Sequence, residues 1–198
     1  MTIDTDTYTL TEKNYIQEVY RKTQIVIGHN SRKDMRHVDG WLNRGVGNYK
    51  KTTNYSIDKE GKIYQHFNPK YYSELLGVEQ DKSNISILLV NSGWLKLDTI
   101  TNVYTDWLGH VYSNSVDMVD RSWRGYNYWV NYTNEQMISL KKLVTNLCNE
   151  FNIPKECIGN NVYNENIDIY KGVTFRSNYS QDIKDISPAF NMDVLKEL

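Results

Sequence analysis

Residues 54–65, N-Y-S-I-D-K-E-G-K-I-Y-Q, indicate the fold class of this 198-residue chain. Two short stretches of alternating apolar and polar residues flank the turn at residues 59–61. Gly61 ends that turn, and glycine readily takes the positive φ that a tight hairpin turn needs. The segment therefore predicts a β-hairpin, and the neighbouring sequence shows what the hairpin pairs with.

Two continuous apolar runs lie on either side of the hairpin, Q-I-V-I-G-H at residues 24–29 and N-I-S-I-L-L-V-N at residues 84–91. Runs of this kind are typical of strands that are buried on both faces of a sheet. A shorter strand is predicted at residues 173–175. These strands and the hairpin predict one central β-sheet.

Helices are predicted around the sheet at residues 11–22, 35–42 and 133–151, with a terminal helix around Val194. The third has the strongest signal, since Thr133 and Gln136 form a T-x-x-Q capping box and apolar residues follow at spacings of three and four. The glycine of N-R-G, Gly45, is expected to end the second helix in a left-handed conformation. The fold class is thus α/β, a mixed sheet flanked by helices.

Residues 94–132 have no clear period and are rich in aromatic residues, so an irregular insertion or lid is predicted. Amphipathic rings can contact sugars or a protein partner, and they can equally complete the core under a long loop. Both interpretations stay open at this point. The candidate ligand-binding residues are Trp107, Trp123, Tyr126 and Trp129.

The composition bounds the remaining possibilities. The length fits a single domain, residues 1–198. The net charge is −1 and basic residues are spread along the chain, which argues against a nucleic-acid partner. No run is long and apolar enough to span a membrane, and the N-terminus lacks the apolar region of a signal peptide. We expect a protein made in a host cytoplasm, without its own export signal.

Several short sequence motifs occur in the same order as in one known protein family. V-D-G-W-L-N-R-G follows the first strand, and the hairpin is similar to H-Y-x-I-D-x-x-G-x-I-Y-Q. I-S-I-L-L-V-N is similar to S-I-G-I-E-x-x-N, and Y-T-N-E-Q to Y-T-x-E-Q. G-V-T-F-R-S-N-Y and D-I-S-P-A-F follow near the C-terminus. Together they resemble the zinc-dependent N-acetylmuramoyl-L-alanine amidases, a family that includes phage lysozyme-like amidases and peptidoglycan-recognition proteins.

The resemblance implies a zinc ion with three protein ligands and an activated water. The ligands would be a histidine at the end of the first strand, a histidine after G-V-x-x, and an Asp or Cys about nine residues later. These positions correspond to Gly28, Arg176 and Asp185. The glutamate that acts as general base in many of these enzymes corresponds to Leu88.

Most of these positions have lost the required chemistry. Arg176 has no lone pair to offer a metal, and Leu88 cannot transfer a proton. His29 is one residue out of register, so it replaces the first ligand only if a β-bulge turns its side chain to the other face. Asp185 is expected to pair with Arg176 instead. We expect no zinc, or, if a metal binds, His29 and Asp185 as ligands.

The main hypothesis is a catalytically degenerate amidase-fold protein, a pseudoenzyme that binds peptidoglycan or forms a structural part of a phage particle with other virion proteins. The alternative is an active, endolysin-type amidase with a non-standard zinc site. An unrelated carbohydrate-binding module would explain the aromatic residues but not the amidase-like motifs or their order along the chain.

Overall fold

The computed structural model describes residues 1–113 and 118–198. Within this part of the chain six strands form one mixed sheet in the order β1-β4-β3-β5-β2-β11. Their bounds are Ile3–Asp4 (β1), Gln24–His29 (β2), Tyr55–Ile57 (β3), Ile63–Gln65 (β4), Asn84–Leu89 (β5) and Gly172–Phe175 (β11). Strands β3, β5, β2 and β11 run parallel to their neighbours, while β3 and β4 form the predicted antiparallel hairpin. Gly61 closes it with φ 81°.

The helices are His37–Asn43 (α1), Val78–Lys82 (α2) and Asn134–Phe151 (α3). Thr133 caps α3 as predicted: its hydroxyl accepts from the Gln136 backbone N–H, and the Gln136 side chain accepts from the Thr133 N–H. The Gln136 amide also donates to the backbone carbonyls of Ile57 and Val90, which fixes the start of α3 against the sheet. Gly45, with φ 62°, follows α1 as expected.

The two faces of the sheet bury two separate apolar clusters. One lies under α3 and the C-terminal segment, and includes Ile25, Ile27, Ile87 and Leu89 of the sheet. The other lies under α1 and includes Leu88. Because side chains alternate along a strand, the odd positions of β2 and β5 face α3 and the even positions face α1.

The sequence prediction was wrong for residues 11–22. Only Glu12–Asn14 form a 3₁₀ turn, and Ile16 then pairs with Tyr72 in an isolated antiparallel bridge. Val19 is 65% exposed, so the predicted apolar helix face is not packed. The tertiary pairing outweighs the weak helix preference of a segment with several β-branched and aromatic residues. The predicted helix around Val194 is likewise only a 3₁₀ turn, Met192–Leu195.

Residues 94–132 are not an irregular insertion. Five strands among the described residues form a second, antiparallel sheet in the order β8-β7-β6-β10-β9. Their bounds are Trp94–Asp98 (β6), Val103–Thr105 (β7), Val111–Tyr112 (β8), Met118–Trp123 (β9) and Tyr126–Val130 (β10). Residues 114–117 of the predicted insertion lie outside the described residues.

The turn between β9 and β10 explains part of this regularity. Trp123 pairs with Tyr126, and the two residues between them, Arg124 and Gly125, both have positive φ. That is the geometry of the two-residue turn that best matches the twist of a hairpin. The aromatic residues on either side favour strands as well.

No helix within residues 1–113 and 118–198 combines the length and the apolar character needed to cross a lipid bilayer.

Candidate functional site

The carboxyl ends of β2 and β5 bring two of the predicted positions together. The two strands pair in parallel with an unbroken register, in which Gly28 lies opposite Leu88 and His29 opposite Leu89. Gly28 and Leu88 therefore share the face towards α1. Leu88 is buried and belongs to the apolar cluster there.

Arg176 and Asp185 lie directly on Gly28. Nη1 of Arg176 donates to Oδ2 of Asp185 over 2.9 Å, so the ion pair expected from the sequence is present. A Cβ at Gly28 would lie 2.5 Å from Cδ of Arg176 and closer still to Oδ2 of Asp185. The absence of a side chain at position 28 thus makes room for the ion pair. Both side chains are largely buried, with exposed fractions of 20% and 8%.

The pair has further contacts that hold it in place. Oδ2 of Asp185 also accepts the backbone N–H of His29 over 3.0 Å. Nε of Arg176 is buried without a hydrogen-bond partner among the described residues. The Asp185 carboxylate accepts two hydrogen bonds while the guanidinium has a buried N–H without an acceptor, so the carboxylate is the better satisfied partner.

The His29 ring lies on the opposite side of the sheet. Its Nδ1 is 2.7 Å from Oη of Tyr132, which packs against the cluster under α3, and its Nε2 faces Gly93. No bulge interrupts the pairing of β2 with β5, so the shift that would turn His29 towards Asp185 does not occur. Burial lowers the pKa of His29 to about 4. The ring is a neutral part of the protein interior.

This donor set does not fit a catalytic zinc site. Such a site needs three ligands with nitrogen, oxygen or sulfur lone pairs on one side of the metal. Of the three positions that the family resemblance implies, Gly28 and Arg176 supply none and only the Asp185 carboxylate qualifies. Within residues 1–113 and 118–198, no group of three His, Cys, Asp or Glu residues is placed to hold a metal ion.

A cleft of about 580 Å³ opens beside this ion pair. The lining includes residues 29–34, Arg36, part of α1, Leu88, the loop after β7 and Arg176. Trp107 is 41% exposed on the far wall, and its Nε1 donates to the Ser31 carbonyl over 2.6 Å. That hydrogen bond joins the second sheet to the loop after β2, so the two sheets together form the cleft.

The other aromatic candidates do not line the cleft. Trp129 is completely buried and its Nε1 donates to the Arg121 carbonyl, so it is a core residue and the prediction of a ligand contact there was wrong. Trp123 packs edge-on against Trp129, and Tyr126 stacks on Trp94 at 4.0 Å between ring centroids. Trp107 is the candidate that the structure places at the site.

The segment between Arg176 and Asp185 is held by a residue that the sequence did not suggest. Arg124, in the β9–β10 turn, donates to the carbonyls of Ser177, Ser180 and Ile183. A single guanidinium therefore fixes three points of the loop that carries the ion pair. A lone arginine in a turn gives no sequence signal for such a contact.

The comparisons with known proteins agree with this architecture. No known family model and no curated protein sequence matches the chain. Among solved structures, the chain is similar to the N-acetylmuramoyl-L-alanine amidase LysC from Clostridium intestinale URNW. The TM-score is 0.59 at 14% identity, with 99% of this chain and 95% of that chain covered. The chain has an amidase fold.

Two further structures share this amidase fold. The endolysin N-acetylmuramoyl-L-alanine amidase LysCS from Clostridium intestinale URNW has a TM-score of 0.56 at 14% identity, and the match covers 98% and 93% of the two chains. An AmpD structure has a TM-score of 0.51 at 11% identity, with coverages of 97% and 89%. At these sequence identities the similarity shows the amidase fold alone. The chemistry of the site must be judged from the residues of this chain.

Proposed function

We propose that this chain is a catalytically silent amidase-fold protein that binds peptidoglycan in the cleft beside Arg176. One observation carries the proposal: an Arg176–Asp185 ion pair packs onto Gly28, at the positions where the family resemblance puts zinc ligands. The fold neighbours are named for cleaving the muramoyl–alanine bond, which occurs in peptidoglycan. A cleft that lacks the ligands for a catalytic zinc favours a protein that binds peptidoglycan over one that hydrolyses it.

The cleft has features suited to a glycopeptide. It is open to solvent, and the exposed Trp107 ring offers an apolar surface with a polar edge on which a sugar can pack. The charged Arg176 and the Trp107 ring, which both line the cleft, give two different contacts for a ligand with sugar and peptide parts.

The alternative of an active amidase requires His29 and Asp185 to coordinate one zinc ion. The His29 ring lies on the α3 side of β2, whereas the Asp185 carboxylate lies on its α1 side. The His29 backbone N–H reaches the carboxylate, but the ring does not. The geometry therefore favours the silent protein. Incorporation into a phage particle stays a prediction.

Binding is tested by sedimentation of the protein with purified peptidoglycan from which other wall polymers have been removed. We expect Trp107→Ala to weaken binding by up to about tenfold, because aromatic ring contacts are worth about 0.5–1.5 kcal/mol. Trp123→Ala is the matched control, since its ring lies outside the cleft. Equal losses in both variants, or no sedimentation of the unmodified protein, would contradict the proposal.

A further inference from the structure

The cleft collects positive charge that the chain as a whole does not have. The net charge of the chain is −1. Six basic residues line the cleft against two acidic ones. The basic residues are Arg32, Lys33, Arg36, Arg44, Lys51 and Arg176. Concentrated charge of one sign in a concave site attracts ligands of the other sign.

Part of this charge is already neutralised inside the protein. Arg36 pairs with Asp34 at 2.6 Å and Arg176 with Asp185 at 2.9 Å. The other lining acid, Asp106, accepts backbone N–H groups of its own loop and faces His110. Within residues 1–113 and 118–198, no ion pair involves Arg32, Lys33, Arg44 or Lys51. We call these four residues the basic end of the cleft.

The two arginines of the basic end are presented in a way that suits an oxyanion. Cζ of Arg32 lies 4.4 Å from the centre of the Trp107 ring, and Cζ of Arg44 lies 4.7 Å from that of Tyr49. Stacking uses the flat face of a guanidinium and leaves the N–H groups at its edge available to other partners. Nη1 of Arg32 makes one such contact, a hydrogen bond of 3.4 Å to the Ser31 carbonyl. Burial lowers the pKa of Arg32, and the nearby charge of Arg44 lowers it further. An anion between them would relieve that repulsion.

We propose that the basic end binds the phosphate groups of a phosphodiester-linked cell-wall polymer. Arginine edges bind phosphate in a bidentate manner, and a polymer with one charge per repeat can engage several unpaired cations at once. Proteins that bind single-stranded nucleic acid stack successive bases on several rings. Trp107 is the one exposed Trp, Tyr or Phe side chain among the described lining residues, so a polyol or sugar phosphate fits better than a nucleic acid.

This inference rests on the proposed function only in placing a wall polymer in the same cleft, and it has a separate test. The probe is purified poly(glycerol phosphate), titrated into the full chain at low and at high salt. Oligothymidylate of equal charge and phosphate-free peptidoglycan are measured in parallel. Arg32→Gln and Arg44→Gln are compared with Arg121→Gln, an exposed arginine outside the cleft that changes the net charge equally.

The unmodified protein should bind poly(glycerol phosphate) more tightly than oligothymidylate, and more weakly as salt rises. Arg32→Gln and Arg44→Gln should each reduce this affinity about tenfold, while Arg121→Gln leaves it nearly unchanged. Absence of binding, an equal loss in Arg121→Gln, or equal affinity for oligothymidylate would overturn the proposal. Binding of phosphate-free peptidoglycan is read separately, so a failure of the proposed function is distinguishable.

Discussion

At the scale of single residues, the site depends on what is missing at position 28. Gly28 lets the Arg176 side chain and the Asp185 carboxylate lie against the backbone of β2. Gly40 lines the same cleft on α1 and has no atom within 4 Å of the position a Cβ would take. The two glycines thus allow the same substitution to be compared in a filled and an open environment.

Gly28→Ala is expected to destabilise the protein by roughly 2–4 kcal/mol, because the new methyl group must displace a largely buried ion pair. Gly40→Ala should raise stability by about 0.5–1 kcal/mol, since alanine is the better helix former. Chemical denaturation measures both values. Similar stabilities for the two variants would mean that Arg176 and Asp185 do not pack on Gly28.

Replacing both lost ligands tests the assignment of the positions. In Gly28→His/Arg176→His, loss of the arginine removes one of the two side chains that lie against position 28. It also releases the Asp185 carboxylate from its ion pair, so that this group can move away from the new Cβ and act as a third ligand. We expect this variant to bind zinc with a stoichiometry near one by calorimetric titration. We expect no hydrolysis, because Leu88 still occupies the position of the general base. A double variant that folds but takes up no zinc would show that the positions are misassigned.

These residue-level features differ in how far the sequence could predict them. The ion pair followed from an arginine and an aspartate at positions nine residues apart in a recognisable pattern. The direction of the His29 ring followed from strand alternation once the register was known. The Tyr132 partner of that ring and the free Arg176 Nε did not, because both depend on three-dimensional packing.

At the scale of elements, the second sheet supports the site through Arg124 and Trp107. The side chain of Trp107 contacts the loop after β2, and that of Arg124 contacts the loop between Arg176 and Asp185. The aromatic segment is therefore a structural part of the cleft. Its strands were not predicted because the hairpin turn is Arg-Gly and not one of the commoner Asn-Gly or Asp-Gly pairs.

Arg124→Ala should destabilise the protein by about 2–3 kcal/mol, because three carbonyls of the 177–183 loop lose a charged donor and are only partly accessible to water. Amide hydrogen exchange should become faster in that loop. Arg121→Ala, an exposed arginine on the neighbouring strand, should change neither quantity. Unchanged exchange at residues 177–183 in Arg124→Ala would rule out this supporting role.

At the scale of the whole molecule, the central sheet, the hairpin and α3 were predictable because their apolar patterns are long and regular. The charge of the cleft was only partly predictable. Residues 32–51 contain six basic and two acidic residues, an excess that the even overall distribution conceals. Which of these charges are paired depends on the packing of α1 and its flanking loops.

Three histidines, of which His29 and His66 are buried and His37 is half-buried, give the whole molecule a defined pH dependence. Burial lowers the pKa values of His29, His37 and His66 to about 4. Nδ1 of His66 donates to the Tyr8 carbonyl, and its Nε2 lies 2.7 Å from the Ser56 hydroxyl, so the buried ring has a hydrogen-bond partner at each nitrogen. Unfolded histidines titrate near 6.5, so the unfolded chain binds more protons between about pH 6.5 and 4.

Stability should therefore be greatest above about pH 6.5 and fall as the pH is lowered towards 4. Each histidine contributes on the order of 3 kcal/mol to this loss. Denaturation curves at several pH values measure it. His66→Gln should be less stable at neutral pH but show a shallower fall. The same steepness in His66→Gln and the unmodified protein would argue against a buried neutral His66.

The central claim is that an ion pair stands in place of a catalytic zinc. Its most direct test is elemental analysis of the unmodified protein after zinc loading and dialysis, with release of amino groups from purified peptidoglycan measured on the same sample. We expect zinc far below one equivalent and no release of amino groups above the background without protein. One zinc per chain together with wall hydrolysis would contradict it.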